Sequence, residues 1–364
     1  MIPEREKKKL LRTGFTTGAC AAAAARAAAI SLIKQEAVMR TEIDLPGDGS
    51  AGFAIERCVF DGSQASCTVI KDAGDDPDAT HGVEIQATVC WQDEPGITIF
   101  GGKGVGVVTK PGLEMPPGTA AINPVPRQMI ERSVKEILQN RPATKGVEVT
   151  ISVNGGEKLA EKTLNPRLGI VGGISILGTT GIIIPYSVNA YKATIARALD
   201  IAIACGCRQV VLTTGRRSEK FAQNGMALPE ECFVQVGDFV GYSLEQCVDK
   251  KISRVTIWGM TGKISKLAAG HLYTNISDSQ VDIGFLVGVA ADCGLPEEKI
   301  NDLKEAVTAN HLRRILPEQY IKKFCDKLCQ LAAVKCYEKT EGKLEIDCIM
   351  SDYHGAMLGR SHAR

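Results

Sequence analysis

A mixed α/β chain of two domains is what the sequence predicts: an α+β domain, then a three-layer α/β domain with a mostly parallel sheet. Three observations lead there. A glycine- and threonine-rich entry runs into an alanine tract at Leu11–Ala29, LRTGFTTGACAAAAARAAA. Extended runs separated by Gly/Asp/Pro turns then occupy the chain to about residue 165. Past Asn165-Pro166, short apolar strands alternate with helices, the rhythm of a parallel sheet covered on both faces. With 364 residues there is chain for two domains, set at 1–165 and 166–364.

The elements follow in order. Alanine is the strongest helix former, so a helix should run from about Ala19 to Ile30. Thr16 or Thr17 can cap it, and Gly14 and Gly18 allow a tight approach. A helix start with such small side chains favours carboxylate or phosphate, which makes Thr16, Thr17 and Gly18 candidate ligand contacts. An alanine helix packed closely on a sheet is the competing reading. Extended runs are expected at Glu42–Leu45, Phe53–Phe60, Ala65–Lys71 and Val83–Trp91. Ile97–Gly112 reads as strand, glycine loop and strand, and Asn123–Asn140 as a helix with prolines in its first turn. Val147–Val153 alternates as a strand, and Asn154-Gly155-Gly156 should turn a hairpin.

In the second half, strands are expected at Gly169–Val171, Gln209–Thr213, Phe233–Val236, Arg254–Trp258 and Leu344–Met350. Helices fall near Val188–Cys205, Ser218–Asn224, Tyr242–Lys250, Ile264–Tyr273, Ser279–Cys293 and Pro317–Tyr337. Three strand ends run into glycine, at Thr214-Gly215, Val236-Gly237 and Trp258-Gly259. Ligands of such sheets collect at those carboxyl ends.

Composition narrows the function classes. A formal net charge of +1 offers no global field for nucleic acid or an anionic membrane. Leu168–Tyr191 carries no charge, but five glycines and a proline speak for a buried strand and glycine-rich loops over a membrane span. The charged start, MIPEREKKK, is no secretory signal, and a cytoplasmic protein is expected. Thirteen cysteines make no CxxC pair and the five histidines stand singly, so free thiols are expected, with neither disulfides nor a protein metal site.

Two motifs invite chemistry. Asp72–Gly82, DAGDDPDATHG, cannot form a regular element and crowds four carboxylates between Lys71 and His81, which favours an active-site loop over a solvated turn. Gly101–Gly106, GGKGVG, matches part of a nucleotide loop, but an extended Val-Val-Thr-Lys-Pro follows where a helix should begin. A close strand crossing is its other explanation.

Seven blocks, in order, resemble one family. They are LRTGFTTGACAAAAA, KDAGDDPDATHG at Lys71–Gly82, GGKGVGVVTKPGL at Gly101–Leu113 and AINPVPRQMI at Ala121–Ile130, then NPRLGIVGGISILGTTGI at Asn165–Ile182, TTGRRSE at Thr213–Glu219 and WGMTGKISKLAAGH at Trp258–His271. The chain resembles the cobalt-precorrin-5B C(1)-methyltransferases, the CbiD family of anaerobic cobalamin biosynthesis, from about Lys9 to residue 310. It departs from that pattern at Ile184-Pro185-Tyr186-Ser187, where a charged or polar residue is expected before the proline.

The resemblance implies a first domain like ribosomal protein S5 domain 2. It also implies transfer of a methyl group from S-adenosyl-L-methionine to carbon 1 of cobalt-precorrin-5B, giving cobalt-precorrin-6A. Such a displacement needs positioning and a suitable field but no covalent nucleophile. His81 is the candidate base, with Asp75 or Asp76 orienting it. A flat polycarboxylate substrate needs an apolar cleft rimmed by cations, for which Arg127, Arg167, Arg216, Arg217 and Lys263 are the candidates. Gly172, Gly173 and Gly178, in the uncharged loops Gly169–Gly181, could admit the donor's adenosine. Cobalt arrives inside the substrate. A corrinoid is the expected partner, nucleic acid and membrane are not, and a homo-oligomer is compatible with the sequence. Without the resemblance, a nucleotide-dependent ligase or kinase and a corrinoid carrier stay open, although no GxxxxGK[ST] loop occurs.

Overall fold

The structure, a computed structural model, describes residues 11–47, 49–139 and 145–364. The Lys7–Lys9 tail and Asn140, the expected end of the second helix, lie outside the described residues. The chain forms two compact units, the first ending at Val188 and the second running Asn189–Arg364.

The first unit comprises β1 (Gly14–Phe15), α1 (Thr17–Lys34), β2 (Arg40–Asp44), β3 (Ser50–Ala54), β4 (Arg57–Phe60), β5 (Gln64–Ile70), β6 (Glu84–Gln92) and β7 (Ile97–Gly101). Then come β8 (Gly104–Val105), β9 (Val107–Val108), α2 (Pro124–Leu138), β10 (Gly146–Val153), α3 (Gly156–Ala160), β11 (Ile170–Val171), β12 (Gly173–Ile174) and β13 (Ile182–Ile183). Five strands make one sheet in the order β4-β5-β6-β10-β7, with β10 antiparallel to β6 and parallel to β7. Inward residues at alternate positions, such as Ala65, Cys67 and Val69 on β5, join the core. On that core lies α1, whose alanines from Ala19 to Ala29 are essentially without exposure. A helix apolar on every side must be covered on every side, and α2 covers the face away from the sheet through Met129, Ile130 and Val134.

Besides the split of the expected run Phe53–Phe60 into β3 and β4, two differences from the sequence reading bear on the site. Asn154-Gly155-Gly156 opens the short helix α3 instead of a hairpin, because β10 already has β6 and β7 on its two sides and its chain must leave the sheet. The change of unit comes at Val188 and not at residue 165. Residues 166–188 stay with the first unit because β11 pairs with β9, β12 with β8, and β13 with β1.

The second unit contains α4 (Val188–Ala204), β14 (Gln209–Thr213), α5 (Arg216–Gly225), β15 (Phe233–Gln235), α6 (Val240–Asp249), β16 (Arg254–Met260) and α7 (Thr261–Ala268). It closes with α8 (Ile283–Asp292), α9 (Glu297–Lys304), α10 (Ala309–Ile315), α11 (Glu318–Lys339), β17 (Glu345–Ser351) and β18 (Met357–Ala363). The sheet order is β15-β14-β16-β17-β18; the first four run parallel and β18 is antiparallel. Alternation along the strands divides the core. Val211, Phe233, Trp258 and Ile349 pack with Ala222 of α5 on one face. Val210, Leu212, Val234, Val255 and Ile257 pack on the other with Leu199, Leu244, Ile264, Leu267 and Leu328. No described helix is long and apolar enough to cross a membrane.

Candidate functional site

The aspartate loop, Asp72–Gly82, leaves β5 and returns into β6, closed at its neck by Gly82 N donating to Lys71 O and Lys71 N to Val83 O. All four of its carboxylates are partnered, two of them by Arg12. Asp72 pairs with the Arg12 guanidinium and also accepts Gly74 N at 2.9 Å. The hydrogen bond from Arg12 holds the Asp72 carboxyl down at about 2. Asp75 accepts Arg12 N at 2.7 Å, and Asp76 accepts Tyr186 N at 2.9 Å. Asp78 accepts Thr80 N and Thr80 Oγ1 and pairs at 2.8 Å with Lys71 Nζ, whose side chain is 1% exposed. Burial would push the Asp78 carboxyl up, but Lys71 and the Thr80 donors outweigh it and hold it low.

His81 is exposed, and its Nδ1 accepts the Ala73 amide at 3.1 Å. That bond requires Nδ1 without a proton, so neutral His81 carries its hydrogen on Nε2. The expected arrangement, His81 as a base steered by Asp75 or Asp76, is therefore corrected. Both aspartates hold backbone amides elsewhere, Asp72 is the carboxylate beside the ring at 3.8 Å, and the Nε2–H of this exposed ring is a donor.

The Thr-Thr-Gly end of α1 is turned inward. Thr16, 5% exposed, caps the helix by accepting Ala19 N at 3.1 Å. Thr17 accepts Leu177 N at 2.8 Å and donates to Ser175 O, while Gly18 N donates to Leu177 O. The ligand role expected of Thr16, Thr17 and Gly18 gives way to a structural one, since segment 175–177 engages Thr17 and Gly18 while Thr16 is engaged by Ala19 N and Gly181 O. Gly178 lies against Thr16, where an added Cβ would come within 2.4 Å. Gly173 meets Gly104 O at 2.3 Å on the same test, and Gly104, with φ +77°, would meet Val153 O at 1.9 Å. Gly104 and Gly173 let backbones cross, and Gly178 makes room for the Thr16 side chain. Gly172 alone of the three expected donor contacts faces open space.

The expected cations fall in two groups. In the first unit, half-buried Arg127 donates to Ile99 O at 3.2 Å, and half-buried Arg167 sits in the turn closed by Gly169 N to Pro166 O. In the second unit, Arg216 and Arg217 open α5 directly after β14, both exposed, with Arg217 over the Tyr353 ring at 5.8 Å. Lys263, on α7, pairs with Asp238 and donates to Thr274 O, which also accepts from buried Lys266. Burial, with Lys263 close by, depresses the Lys266 ammonium.

The sequence reading missed Arg12, Lys71 and Asp78 as the loop's supports, although all three lie inside the family blocks. It also passed over Thr214 and Thr261, which follow strand ends and are each followed by glycine. Among the described residues, no group of three or more His, Cys, Asp or Glu could hold a metal ion.

The sequence model of the CbiD family matches residues 4–185, and that of the CbiD C-terminal domain matches residues 273–362. The chain is 47% identical over 357 residues to a cobalt-precorrin-5B C(1)-methyltransferase of Geobacillus thermodenitrificans, covering 98% of this chain and 96% of that one. It is 44% identical to the protein of that name in Priestia megaterium, covering 99% and 98%. Among solved structures it is similar to a cobalamin biosynthesis protein (cbiD) of Archaeoglobus fulgidus, with 29% identity, 72% of this chain and 81% of that chain covered, and a TM-score of 0.40. With near-complete coverage at such identity, this chain belongs to the CbiD family.

Proposed function

We propose that this protein is a cobalt-precorrin-5B C(1)-methyltransferase, taking its methyl group from S-adenosyl-L-methionine and releasing cobalt-precorrin-6A. The observation that carries the reading is 47% identity to a protein of that name over 98% of the chain. Carbon 1 of the macrocycle gives an electron pair to the methyl carbon. The carbon–sulfur bond breaks, its pair returns to sulfur, and S-adenosylhomocysteine leaves. The protein's work is to hold two reactants in line and exclude competing water.

The first unit offers a surface suited to a flat macrocycle. Ile182, Ile184 and Tyr186 are 40%, 65% and 70% exposed, and the Tyr186 amide is fastened to Asp76 of the aspartate loop. An apolar strip beside a loop presenting His81 Nε2–H can take the ring on one side and hydrogen-bond a peripheral oxygen on the other. Arg127, Arg167, Arg216, Arg217 and Lys263 are the residues we assign to the substrate's carboxylates. Arg216 and Arg217 carry most of this assignment, because both are exposed.

Calorimetry with S-adenosylhomocysteine and with ATP tests the reaction class. Binding of the thioether without binding of ATP is expected. ATP binding in the absence of any thioether binding would overturn methyl transfer in favour of a nucleotide-dependent ligation or phosphorylation.

A further inference from the structure

In the second unit, the blocks TTGRRSE and WGMTGKISKLAAGH meet at an opening whose threonines and glycines the family resemblance leaves without a role. Strands β14 and β16 lie side by side in parallel, Thr213 opposite Trp258. The helix after β14, α5, packs on the face of Val211 and Trp258, whereas the helix after β16, α7, packs on the face of Val210 and Ile257. Adjacent connections thus part to opposite sides, and a crevice opens outside the carboxyl ends of the two strands. Its walls are Thr214-Gly215-Arg216 and Met260-Thr261-Gly262. They stay close together: Thr214 N donates to Trp258 O at 3.2 Å.

Three independent features mark this opening as a place for a ligand. Thr261 is 4% exposed, yet its hydroxyl has no hydrogen-bond partner among the described residues. The side-chain polar atom that is both fully hidden and unpartnered among those residues is Arg313 Nε, so the Thr261 oxygen keeps contact with open space. Second, neither helix start has a side-chain cap, which leaves first-turn N–H donors of α5 and α7 at the crevice without a protein acceptor. Third, a Cβ added at Gly215 or Gly262 would meet no atom within 4 Å. Gly104 and Gly173 make room for backbone, whereas Gly215 and Gly262, like Gly172, face open space.

The chemistry of the donors selects the occupant. Two helix N-termini, a hydroxyl and the exposed Arg216 suit an anion with two oxygens. The nearby Asp238 is neutralised by Lys263, and Glu219, in the first turn of α5, has a partner of its own. We propose that the crevice between β14 and β16 binds a carboxylate, held by Thr261 and the first-turn amides of α5 and α7. The inference rests on the methyl-transfer reading, which supplies two carboxylate sources, the amino-acid end of the methyl donor and the side chains of the corrinoid.

The test uses the full chain, with S-adenosylhomocysteine, 5′-methylthioadenosine (the same nucleoside without the amino acid) and cobyrinic acid as calorimetric probes. Thr261→Val removes the hydroxyl at constant shape. Gly262→Ala fills space that no protein atom uses and favours the helix, so loss of fold cannot mimic the effect. Each variant should weaken one carboxylate probe about tenfold, Thr261→Val through the loss of roughly one hydrogen bond to a charged group and Gly262→Ala through its added methyl. Weakened S-adenosylhomocysteine with unchanged methylthioadenosine assigns the crevice to the donor; weakened cobyrinic acid alone assigns it to the corrinoid. Undiminished binding of both acids in both variants overturns the site while leaving the methyl-transfer reading intact. Failure of the wild type to bind any probe would overturn that reading and the site with it.

Discussion

His81 shows how one hydrogen bond decides a residue's role. Its Nδ1 is taken by the Ala73 amide, which leaves Nε2–H as a donor in the neutral ring. His81→Ala should lower methyl transfer by about tenfold and His81→Gln, which keeps an N–H, by less. A general base would instead cost about 10²–10⁴ in both variants, so initial rates of the two separate the roles. Asp72 supplies a pH test. Its carboxyl is held at about 2 by Arg12, below the free-chain value of about 3.9. A lowered folded value adds stability above the unfolded one and loses it as the pH falls through the folded one. Acid unfolding between these values should therefore be shifted upward in Arg12→Ala, and superposed acid-unfolding curves for the two proteins would contradict the pairing. The sequence placed the four aspartates, Lys71 and His81 together, but the pairing of each carboxylate was not legible. Arg12 and Tyr186 reach the loop from sequence distances of 60 and 110 residues.

At the scale of elements, the buried Lys71–Asp78 pair holds the aspartate loop to β5. Removing one partner of a buried pair strands the other, at a cost of about 3 kcal/mol. Lys71→Ala should lower the melting temperature clearly, whereas Asp75→Asn and Asp76→Asn, which keep an acceptor oxygen, should barely change it. Equal melting temperatures for wild type and Lys71→Ala would show that the pair does not support the loop. Gly104→Ala meets both a positive φ and the Val153 carbonyl, and a cost of about 2 kcal/mol or more is expected in denaturant titrations. Most helices and strands were legible because their apolar periodicity is strong: α1, α2, β5, β6 and β16 fall within a few residues of expectation. The glycine segments misled for a physical reason. A glycine that admits a ligand and one that admits another part of the protein look alike in sequence, and only the positions of Gly173 against the Gly104 backbone and Gly178 against the Thr16 side chain tell them apart.

For the whole molecule, the mixed α/β class was legible, while the limit of the first unit was not. Residues 166–188 begin like the next domain's first strand, yet they complete β1, β8 and β9 through pairings spanning well over fifty residues. That distance erases any local signal. The central claim is chemical, and one measurement reaches it directly. The purified protein is incubated with cobalt-precorrin-5B and S-adenosylmethionine carrying a carbon-labelled methyl group, and the product is examined by mass spectrometry and NMR. A corrinoid one methyl group heavier, with the label on carbon 1, together with an equal amount of S-adenosylhomocysteine, is the predicted result. Label on another carbon, or thioether release without a methylated corrinoid, would contradict the account.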